Sequence, residues 1–540
     1  MTAAPVEVAE AVAVTKIAAV RSFIRGKRRR PWFDWYAIGF GIALGALMLS
    51  DFLSAPFRRL ITSGTPAPAQ AAAGAALVIA AAAGLVMLAQ LLGPLALSPA
   101  DASWLLLSPL GRRDVLRRSA TTTTAVFALA GGLLGVLALA MAGPYVPHGL
   151  RHGLWAWLLL AAVGGAGFFS AAVLAAILAQ PWLRWRARLR AVCAVVSLAA
   201  ALTALVGERW TAVARHVTDV FADLSTTVMV QVMAAGLAIA CVAALFVRRA
   251  LPRFPAGRLR TDSARAGTTR LAAAYLNVPL LTWIAEDSHW RGRELTARPW
   301  PRICTAQQVP ARAPSLGSAV ALAWVDWRRL TRRPALLAAV AGSTLAPALA
   351  GAALTGHARG FGVAAVLLAG AIAASVQGTA ATRRDVNDPV LFRLLGVDPQ
   401  QALIARAVLP ALLSTCWLVL SLAILVLTGG LAGGLAGTPV DWLWPLAGLV
   451  AGPGLAAAAL RIARTGPINP AEQGPDTAVG PMPPWLITRA VSLLFGAAAC
   501  YPLLKAVYTG HVHASTCAAQ VAFSAAVLGG YLVFAGGARA

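Results

Sequence analysis

The sequence predicts an all-α polytopic membrane protein with about twelve transmembrane helices in two parallel six-helix halves. Hydrophobic residues make up 59% of its 540 residues, and charged residues only 12%. About twelve apolar stretches are long enough to cross the ~30 Å hydrocarbon layer as helices. Most of the 46 Lys and Arg fall in alternate gaps between these stretches and at the two ends of the chain. The positive-inside rule therefore places both termini in the cytoplasm.

The twelve predicted spans fall into two groups of six, separated by a long stretch without an apolar run. The first six are residues 35–53, 71–97, 121–141, 154–179, 189–206 and 228–247. The second six are residues 335–354, 361–381, 404–427, 442–460, 486–504 and 517–534. Four domains follow: a basic cytoplasmic segment (1–33), a first half (34–247), a cytoplasmic linker (248–333) and a second half (334–540). Six spans per half is an even number, so the halves are parallel repeats.

Weak internal matches favour a duplication. Gln90, Asp101 and Leu116 match Gln377, Asp388 and Leu403 at one constant offset, and the fifth and eleventh spans are introduced by PWLRWRARLRAV and PWLITRAV. The linker ends in an amphipathic stretch, residues 318–334, in which Trp324 and Trp327 precede four Arg. This pattern predicts a helix in the headgroup layer or, alternatively, an extension of the seventh span.

The basic residues of this chain indicate a lipid partner and no nucleic acid. The formal net charge is +26, but the Lys and Arg flank apolar spans, where they anchor topology beside anionic headgroups. The richness in Ala, Gly and Arg over Lys is typical of a high-GC bacterial genome, so we expect a bacterial cytoplasmic membrane. The six Cys show no C-x-x-C spacing, which predicts neither a disulfide framework nor a metal site.

Small residues recur at helical spacing within the spans. Gly131 and Gly135, and likewise Gly448 and Gly452, form small-xxx-small patterns. Such patterns let two helices approach closely, so we expect helix contacts at these glycines.

The sequence also lacks the groups that several functions need. Ion-coupled carriers usually require a charged side chain within a span. In this sequence no Asp, Glu, Lys or Arg lies near the middle of a predicted span. The one Gly-Lys pair, Gly26-Lys27, is followed by Arg28, so the chain has no phosphate-binding loop. We therefore expect no enzyme activity, no catalytic residue and no cofactor. Gln90, Gln231 and Gln377 are the strongest polar groups inside spans; they line a pathway or form interhelical hydrogen bonds.

Two loops at corresponding places, after the second and eighth spans, indicate a partner. Residues 100–119 and 385–408 each combine a short apolar helical piece, a Pro/Gly turn and a helix that returns into the next span. A helix-turn-helix of this kind can seat in a groove of another protein. We expect the four Arg of the first loop to pair with acidic groups of a partner or with lipid; they are Arg112, Arg113, Arg117 and Arg118.

The first loop, LSPLGRRDVL at residues 107–116, resembles the corresponding loop in membrane subunits of ABC exporters of the drug- and polymer-export class. That resemblance implies a pore subunit coupled to a separate cytoplasmic ATP-binding subunit, with two six-helix subunits fused in one chain. It also implies that the ATPase contacts are Leu107, Pro109, Arg112, Arg113 and Leu116. The second loop departs from the pattern, because Gly396, Pro399 and Gln400 replace the Pro and Arg positions. Its candidate coupling residues are Leu395, Gly396, Pro399 and Leu403.

Two other functions remain open. Gly111, Arg112 and Arg113 resemble the end of the loop motif of major facilitator carriers, although Trp104 and Ser108 replace that motif's leading Gly and acidic residue. A non-transporting membrane scaffold or immunity protein is the third hypothesis. The Ala, Gly and Leu composition of the spans indicates neither a substrate nor an oligomeric state.

Overall fold

The computed structural model describes residues 68–93, 99–106, 111–142, 151–180, 182–205, 226–274, 314–354, 357–387, 398–429, 442–464 and 484–537, together with residues 95, 97, 108, 390, 476–477 and 480–481. The predicted basic segment 1–33 and the first predicted span lie outside the described residues. The chain divides into two compact units, Met1–Ala274 and Tyr275–Ala540. The division between them falls inside the predicted linker.

The described part of the first unit is helical. Its helices are α1 (Pro68–Leu92), α2 (Pro99–Trp104), α3 (Arg112–Ala142), α4 (Arg151–Ala179), α5 (Leu183–Leu205), α6 (Thr226–Ala250) and α7 (Ala256–Ala274), with a 3-10 turn at Leu251–Arg253 between the last two. The long helix α4 packs against α3 and α6, and α1 packs against α5 and α3. A hydrophobic core closes one end of the unit and includes Leu95, Leu105, Leu116, Ile177 and Leu259.

The second unit is built around one buried helix. Its helices are α8 (Pro314–Thr331), α9 (Pro334–Ser343), α10 (Ala346–Ala353), α11 (His357–Gln377), α12 (Ala380–Asn387), α13 (Pro399–Leu427), α14 (Leu443–Arg464), α15 (Pro484–Ala499), α16 (Tyr501–Thr509) and α17 (Ala514–Gly537). The central helix α14 packs against α13, α17, α15 and α11. Two short strands, β1 (Asp476–Thr477) and β2 (Gly480–Pro481), form an antiparallel pair.

Among the described residues, nine helical segments are long and apolar enough to cross a membrane, and a tenth is formed if the bent pair α15–α16 is one span. The chain is therefore a multi-pass membrane protein, and its described part is helical apart from the short β1–β2 pair. The count of twelve is not confirmed. The second predicted span corresponds to α1, whose apolar part, Ala72–Met87, is shorter than the others.

Two predicted spans are broken by proline, which sequence hydropathy does not reveal. Pro347 follows the break between α9 and α10, and Pro502 follows the break between α15 and α16. Proline has no N–H to donate to the carbonyl four residues earlier, and its ring crowds that carbonyl. The predicted helix at 486–504 is therefore two helices bent by 70°, whereas α9 and α10, although interrupted at Thr344 and Leu345, together form one apolar segment, Pro334–Ala353, long enough to cross a membrane.

The predicted close approach at small residues is present. A Cβ atom on Gly131 would collide with Phe169 and with the Gly165 carbonyl, and one on Gly135 would collide with the Ala161 carbonyl. In the second unit, a Cβ on Gly452 would collide with Thr415. These glycines let α3 meet α4, and α14 meet α13, at backbone distance.

The two ends of the predicted linker are helices that pack on their own units. Helix α7 contacts α2 and α1 in the first unit, and α8 contacts α13 in the second. Arg333 separates α8 from α9, so the stretch 318–334 is a distinct helix and not an extension of the seventh span.

We predict that Gly165→Ala lowers the free energy of unfolding by about 1–3 kcal/mol, the usual cost of overpacking. A Cβ at this position would lie 2.9 Å from the Cα of Gly135 and still closer to the Gly131 carbonyl. The neighbouring Gly164 has nothing within 4 Å of its Cβ position, so Gly164→Ala is the matched control, and the higher helix propensity of alanine stabilises the protein by about 0.5–1 kcal/mol. Thermal unfolding of both proteins in detergent measures the difference. Equal midpoints would contradict close packing of α3 on α4.

Candidate functional site

The candidate site is the segment that leads from α1 through α2 into α3. We call residues 93–112 the docking loop. Gly93 ends α1 with a positive φ of 66°, a conformation that glycine adopts without strain. The backbone N–H of Leu95 donates to Gln180 Oε1 at 3.1 Å, and that of Leu97 donates to Ser263 Oγ at 3.1 Å. Side chains from α7 and from the end of α4 therefore hold the start of the docking loop.

One carboxylate ties these contacts together. Asp262, on α7, accepts a hydrogen bond from Gln180 Nε2 at 3.0 Å and pairs with Arg186 Nη2 at 2.5 Å. Asp262 is buried, and a buried carboxylate needs such partners because desolvation would otherwise cost several kcal/mol. The start of α5, the end of α4 and the linker helix α7 are thus joined at one point behind the docking loop.

The middle of the docking loop combines a buried face with one exposed aromatic ring. Leu105 and Leu106 are buried, and Ser108 Oγ donates to the Leu105 carbonyl at 2.7 Å. Trp104, at the end of α2, is 72% exposed. A tryptophan that stands out from a well-packed turn offers a large apolar surface at a fixed position.

The residues expected to contact an ATPase divide into several groups. Arg112 donates from Nη1 to the Phe254 carbonyl at 3.0 Å, so it joins the loop to the turn after α6. Leu116 is fully buried in the core of the unit, where its side chain supports the loop from inside. Arg113 is half-buried on the first turn of α3, and Arg117 and Arg118 are exposed on the next. Leu107 and Pro109 lie outside the described residues.

The corresponding loop of the second unit differs in chemistry. Asp398 caps α13 by accepting the backbone N–H groups of Gln400 and Gln401, each at 3.1 Å. Pro399 is exposed as the first residue of that helix, and Leu403 is buried against Leu460. Leu395 and Gly396 lie outside the described residues. A carboxylate stands here at the start of the return helix, where the first unit carries arginines.

A second buried ion-pair group holds the linker helix of the second unit. Arg406, near the start of α13, forms two parallel hydrogen bonds to Asp385, from Nε to Oδ2 at 2.9 Å and from Nη2 to Oδ1 at 3.2 Å. Its Nη1 donates to Asp326 Oδ1, on α8, at 2.7 Å. The second oxygen of Asp326 is buried and has no hydrogen-bond partner among the described residues. The planar guanidinium of Arg406, with its several N–H donors, can bond to both aspartates at once.

The environment of Asp326 favours its protonated form. Burial raises the pKa of Asp326 to about 6, against the opposing effect of the Arg406 charge; the nearby Asp385 also raises it and Arg384 lowers it. Because Arg406 also forms two hydrogen bonds to Asp385, the group contains one ion pair that does not involve Asp326.

The three glutamines predicted inside spans have different surroundings. Both amide atoms of Gln90 and the Oε1 atom of Gln377 are buried without a hydrogen-bond partner among the described residues. Gln231 is exposed on α6. For Gln90, the described residues thus do not supply the predicted interhelical hydrogen bond. The glutamines that do join elements are Gln180 and Gln520, which the sequence analysis did not single out.

Other important residues were also missed from sequence. For Asp262, Asp326 and Arg406 the sequence offered one usable signal, which is the scarcity of acidic residues. The chain has 20 acidic residues against 46 basic ones, and few of the acidic ones adjoin spans. Within the described part of the chain, no group of three or more His, Cys, Asp or Glu side chains is placed to hold a metal ion.

Comparison with known proteins gives one match. The profile of a family of unknown function (DUF6297) matches residues 67–469, which is well over half of the chain and includes the docking loop and both ion-pair groups. No curated protein and no solved structure matches the sequence significantly.

We predict that Arg406→Gln lowers the free energy of unfolding by about 3–5 kcal/mol, because it removes the cation that pairs with the buried Asp326 and the half-buried Asp385. Arg332, which is exposed at the end of α8, provides the control, and Arg332→Gln changes stability by less than about 0.5 kcal/mol. Thermal or denaturant unfolding of the full chain in detergent measures both. Similar stability of the two variants would show that the ion pairs contribute little.

We also predict a pH dependence that Asp326→Asn removes. The folded state raises the pKa of Asp326 from its ordinary value of 3.8 to about 6, so the folded protein binds this proton more tightly than the unfolded chain does. The resulting stabilisation is complete below pH 3.8 and is lost as the pH rises through about 6. Asparagine mimics the neutral acid, so at about pH 7.5 the variant is more stable than the wild type by on the order of 2 kcal/mol.

The unfolding midpoints of the two proteins, followed from about pH 7.5 to 5, provide the measurement. The difference between them shrinks as the pH falls. A difference that stays constant over this range would exclude titration of Asp326.

Proposed function

The chain belongs to the family of unknown function DUF6297, and we propose that it is the membrane-spanning permease subunit of an ATP-driven exporter. In this proposal its helices form the translocation pathway, and a separate cytoplasmic ATP-binding subunit drives the cycle. The protein lies in the bacterial cytoplasmic membrane with both ends in the cytoplasm. Its arginines contact anionic lipid, and no nucleic acid takes part.

The observation that carries this proposal is the construction of the docking loop. Trp104 is 72% exposed, while the residues on either side of it are fixed from behind by α7 and by the core of the unit. Tryptophan and arginine are the residues that most often dominate the energy of protein contacts. The docking loop exposes Trp104 and leads into α3, on which Arg117 and Arg118 are exposed, and this set of side chains is suited to a groove in a partner protein.

The residues in and after the docking loop have two different roles. Leu116 and Arg112 hold the loop, because one is buried and the other is bonded to the Phe254 carbonyl. Trp104, Arg113, Arg117 and Arg118 are left to contact the ATPase. Force applied at Trp104 passes to α7, which packs on α2, and through Asp262 to the start of α5.

The energy source is assigned to a partner because the sequence holds no phosphate-binding loop. A carrier driven by an ion gradient usually has a titratable group in the middle of a span. The buried carboxylates Asp262 and Asp326 lie on α7 and α8, which are not among the described helices apolar enough to cross a membrane. The buried Arg406 lies in the first third of α13. This favours ATP-driven transport over the major facilitator alternative.

We predict that Trp104→Ala weakens the association with the cognate ATP-binding subunit at least tenfold, since loss of a hot-spot tryptophan costs about 2 kcal/mol or more. The partner is the nucleotide-binding protein that co-purifies with the wild-type chain from native membranes. Its affinity for the purified wild-type and variant proteins, measured in lipid nanodiscs, tests the effect.

Trp442 supplies a matched control, because it is 75% exposed and precedes α14 at the end that we assign to the outside. Trp442→Ala leaves the association unchanged. Equal weakening by the two variants, or the absence of any nucleotide-binding partner, would contradict the proposal. Export from loaded vesicles that stops on collapse of the proton gradient, and continues without ATP, would establish a secondary carrier instead.

A further inference from the structure

The sharpest break in a described apolar helix lies between α15 and α16. The two helices are bent by 70° at Cys500, and Pro502 occupies the first turn of α16. In a straight helix the N–H of Leu503 would donate to the carbonyl of Ala499, four residues earlier. At this bend, both groups bond instead to a side chain of another helix.

That side chain is Gln520, which lies on α17 and is fully buried. Its Oε1 accepts the N–H of Leu503 at 3.1 Å, and its Nε2 donates to the carbonyl of Ala499 at 2.5 Å. The same Nε2 also donates to Ser524 Oγ at 2.9 Å. The amide of Gln520 is thus inserted into one broken backbone hydrogen bond and satisfies both of its ends.

The burial of this site makes the hydrogen bonds of the Gln520 amide important. Ala499, Cys500 and Leu503 are each at most 2% exposed, so no water reaches the two backbone groups in place of the amide. An unpaired backbone group in an apolar environment is strongly disfavoured. The bend is therefore stable only while Gln520 supplies both a donor and an acceptor.

The direction of α16 affects its neighbours. Its buried face, with Leu503, Ala506 and Val507, packs on α17 and α11. A Cβ atom on Gly360, in α11, would lie 2.9 Å from the Tyr508 carbonyl, so the far end of α16 touches the start of α11. A change of angle at Cys500 would move this contact.

We infer that Gln520 is a positioning residue that sets the angle of α16 by replacing the Ala499–Leu503 backbone hydrogen bond. Pro502 itself bends the helix, because it has no N–H and crowds the carbonyl four residues earlier. An ordinary proline kink of about 20–30° still lets the N–H of Leu503 approach the Ala499 carbonyl, whereas the Gln520 amide bonds to both groups at the observed bend of 70°. Gln520 thus selects the larger bend. In the exporter proposed above, on which this functional consequence rests, α16 lies at the outer mouth of the second half, so export depends on Gln520 although it need not touch the substrate.

The test measures the bend directly with two spin labels in the full-length protein. The six cysteines are replaced by alanine, and labels are placed at Ala490→Cys and Thr509→Cys, both on exposed positions. With a rise of about 1.5 Å per residue and the bend of 70°, the two axial positions are about 23 Å apart. A straight helix would place them about 28 Å apart.

We predict that Gln520→Met, which keeps the length of the side chain and removes the amide, lengthens the measured distance by about 5 Å. Gln520→Glu at about pH 5 keeps the wild-type distance, because the protonated acid both donates and accepts and burial favours that form. Ser524→Ala is the matched control: it removes the third partner of the amide, and the distance stays unchanged.

An unchanged distance in Gln520→Met would overturn the inference, and so would an equal lengthening in Ser524→Ala. If Gln520→Met does not fold, Gln520→Glu decides the matter: a lengthened distance at about pH 5 counts against the inference, and the wild-type distance supports it.

The functional consequence is tested separately. Export by the Gln520→Met protein falls at least tenfold while its association with the ATP-binding subunit equals that of the wild type. Undiminished export would show that the angle of α16 is not needed. Absence of an ATP-binding partner would refute the proposed function and would leave the distance test as it stands.

Discussion

Backbone hydrogen bonding in an apolar environment is the constraint on which the breaks in this structure depend. A helix satisfies its own backbone groups, but each interruption frees some of them, and hydrocarbon offers no water in exchange. Two glutamines solve this problem in the same way. Gln180 Oε1 accepts the N–H of Leu95 after α1 ends, and Gln520 Oε1 accepts the N–H of Leu503 after α15 ends, each at 3.1 Å. In both cases a neighbouring helix takes over a backbone hydrogen bond.

The donor end of each amide shows how the two sites differ. Nε2 of Gln180 donates to the carboxylate of Asp262, which also pairs with Arg186, so this break is tied to the linker helix α7. Nε2 of Gln520 donates to a backbone carbonyl and a serine hydroxyl, so that break is satisfied without charge. The first arrangement suits a rigid support behind an exposed loop, and the second suits a junction whose angle depends on one neutral side chain.

Hydropathy and charge distribution predicted the helical class, the close contact at Gly131 and Gly135, and most helix positions, because these depend on composition and spacing along the chain. Three-dimensional pairings could not be predicted in this way. Asp262 lies 76 residues from Arg186, and Asp326 lies 80 from Arg406; nothing local connects them. The glutamines inside spans were recognised as polar, but their partners depend on which helices meet. Gln90, which was predicted to bond between helices, has no hydrogen-bond partner among the described residues. Gln520, which was not predicted to do so, joins two helices.

The two units hold their central-segment helices in the same way but differ at their loops. In each, an aspartate on a helix of the central segment pairs with an arginine near the start of a long apolar helix, and this fixes one end of that segment to its own unit. The loops themselves differ, since α3 begins with Arg112 and Arg113, whereas α13 begins behind the capping carboxylate of Asp398. A partner surface that complements Arg112 and Arg113 therefore finds no arginine at the first turn of α13. Under the proposed function, two identical ATP-binding subunits would meet unequal sites, and the first unit would provide the stronger contact.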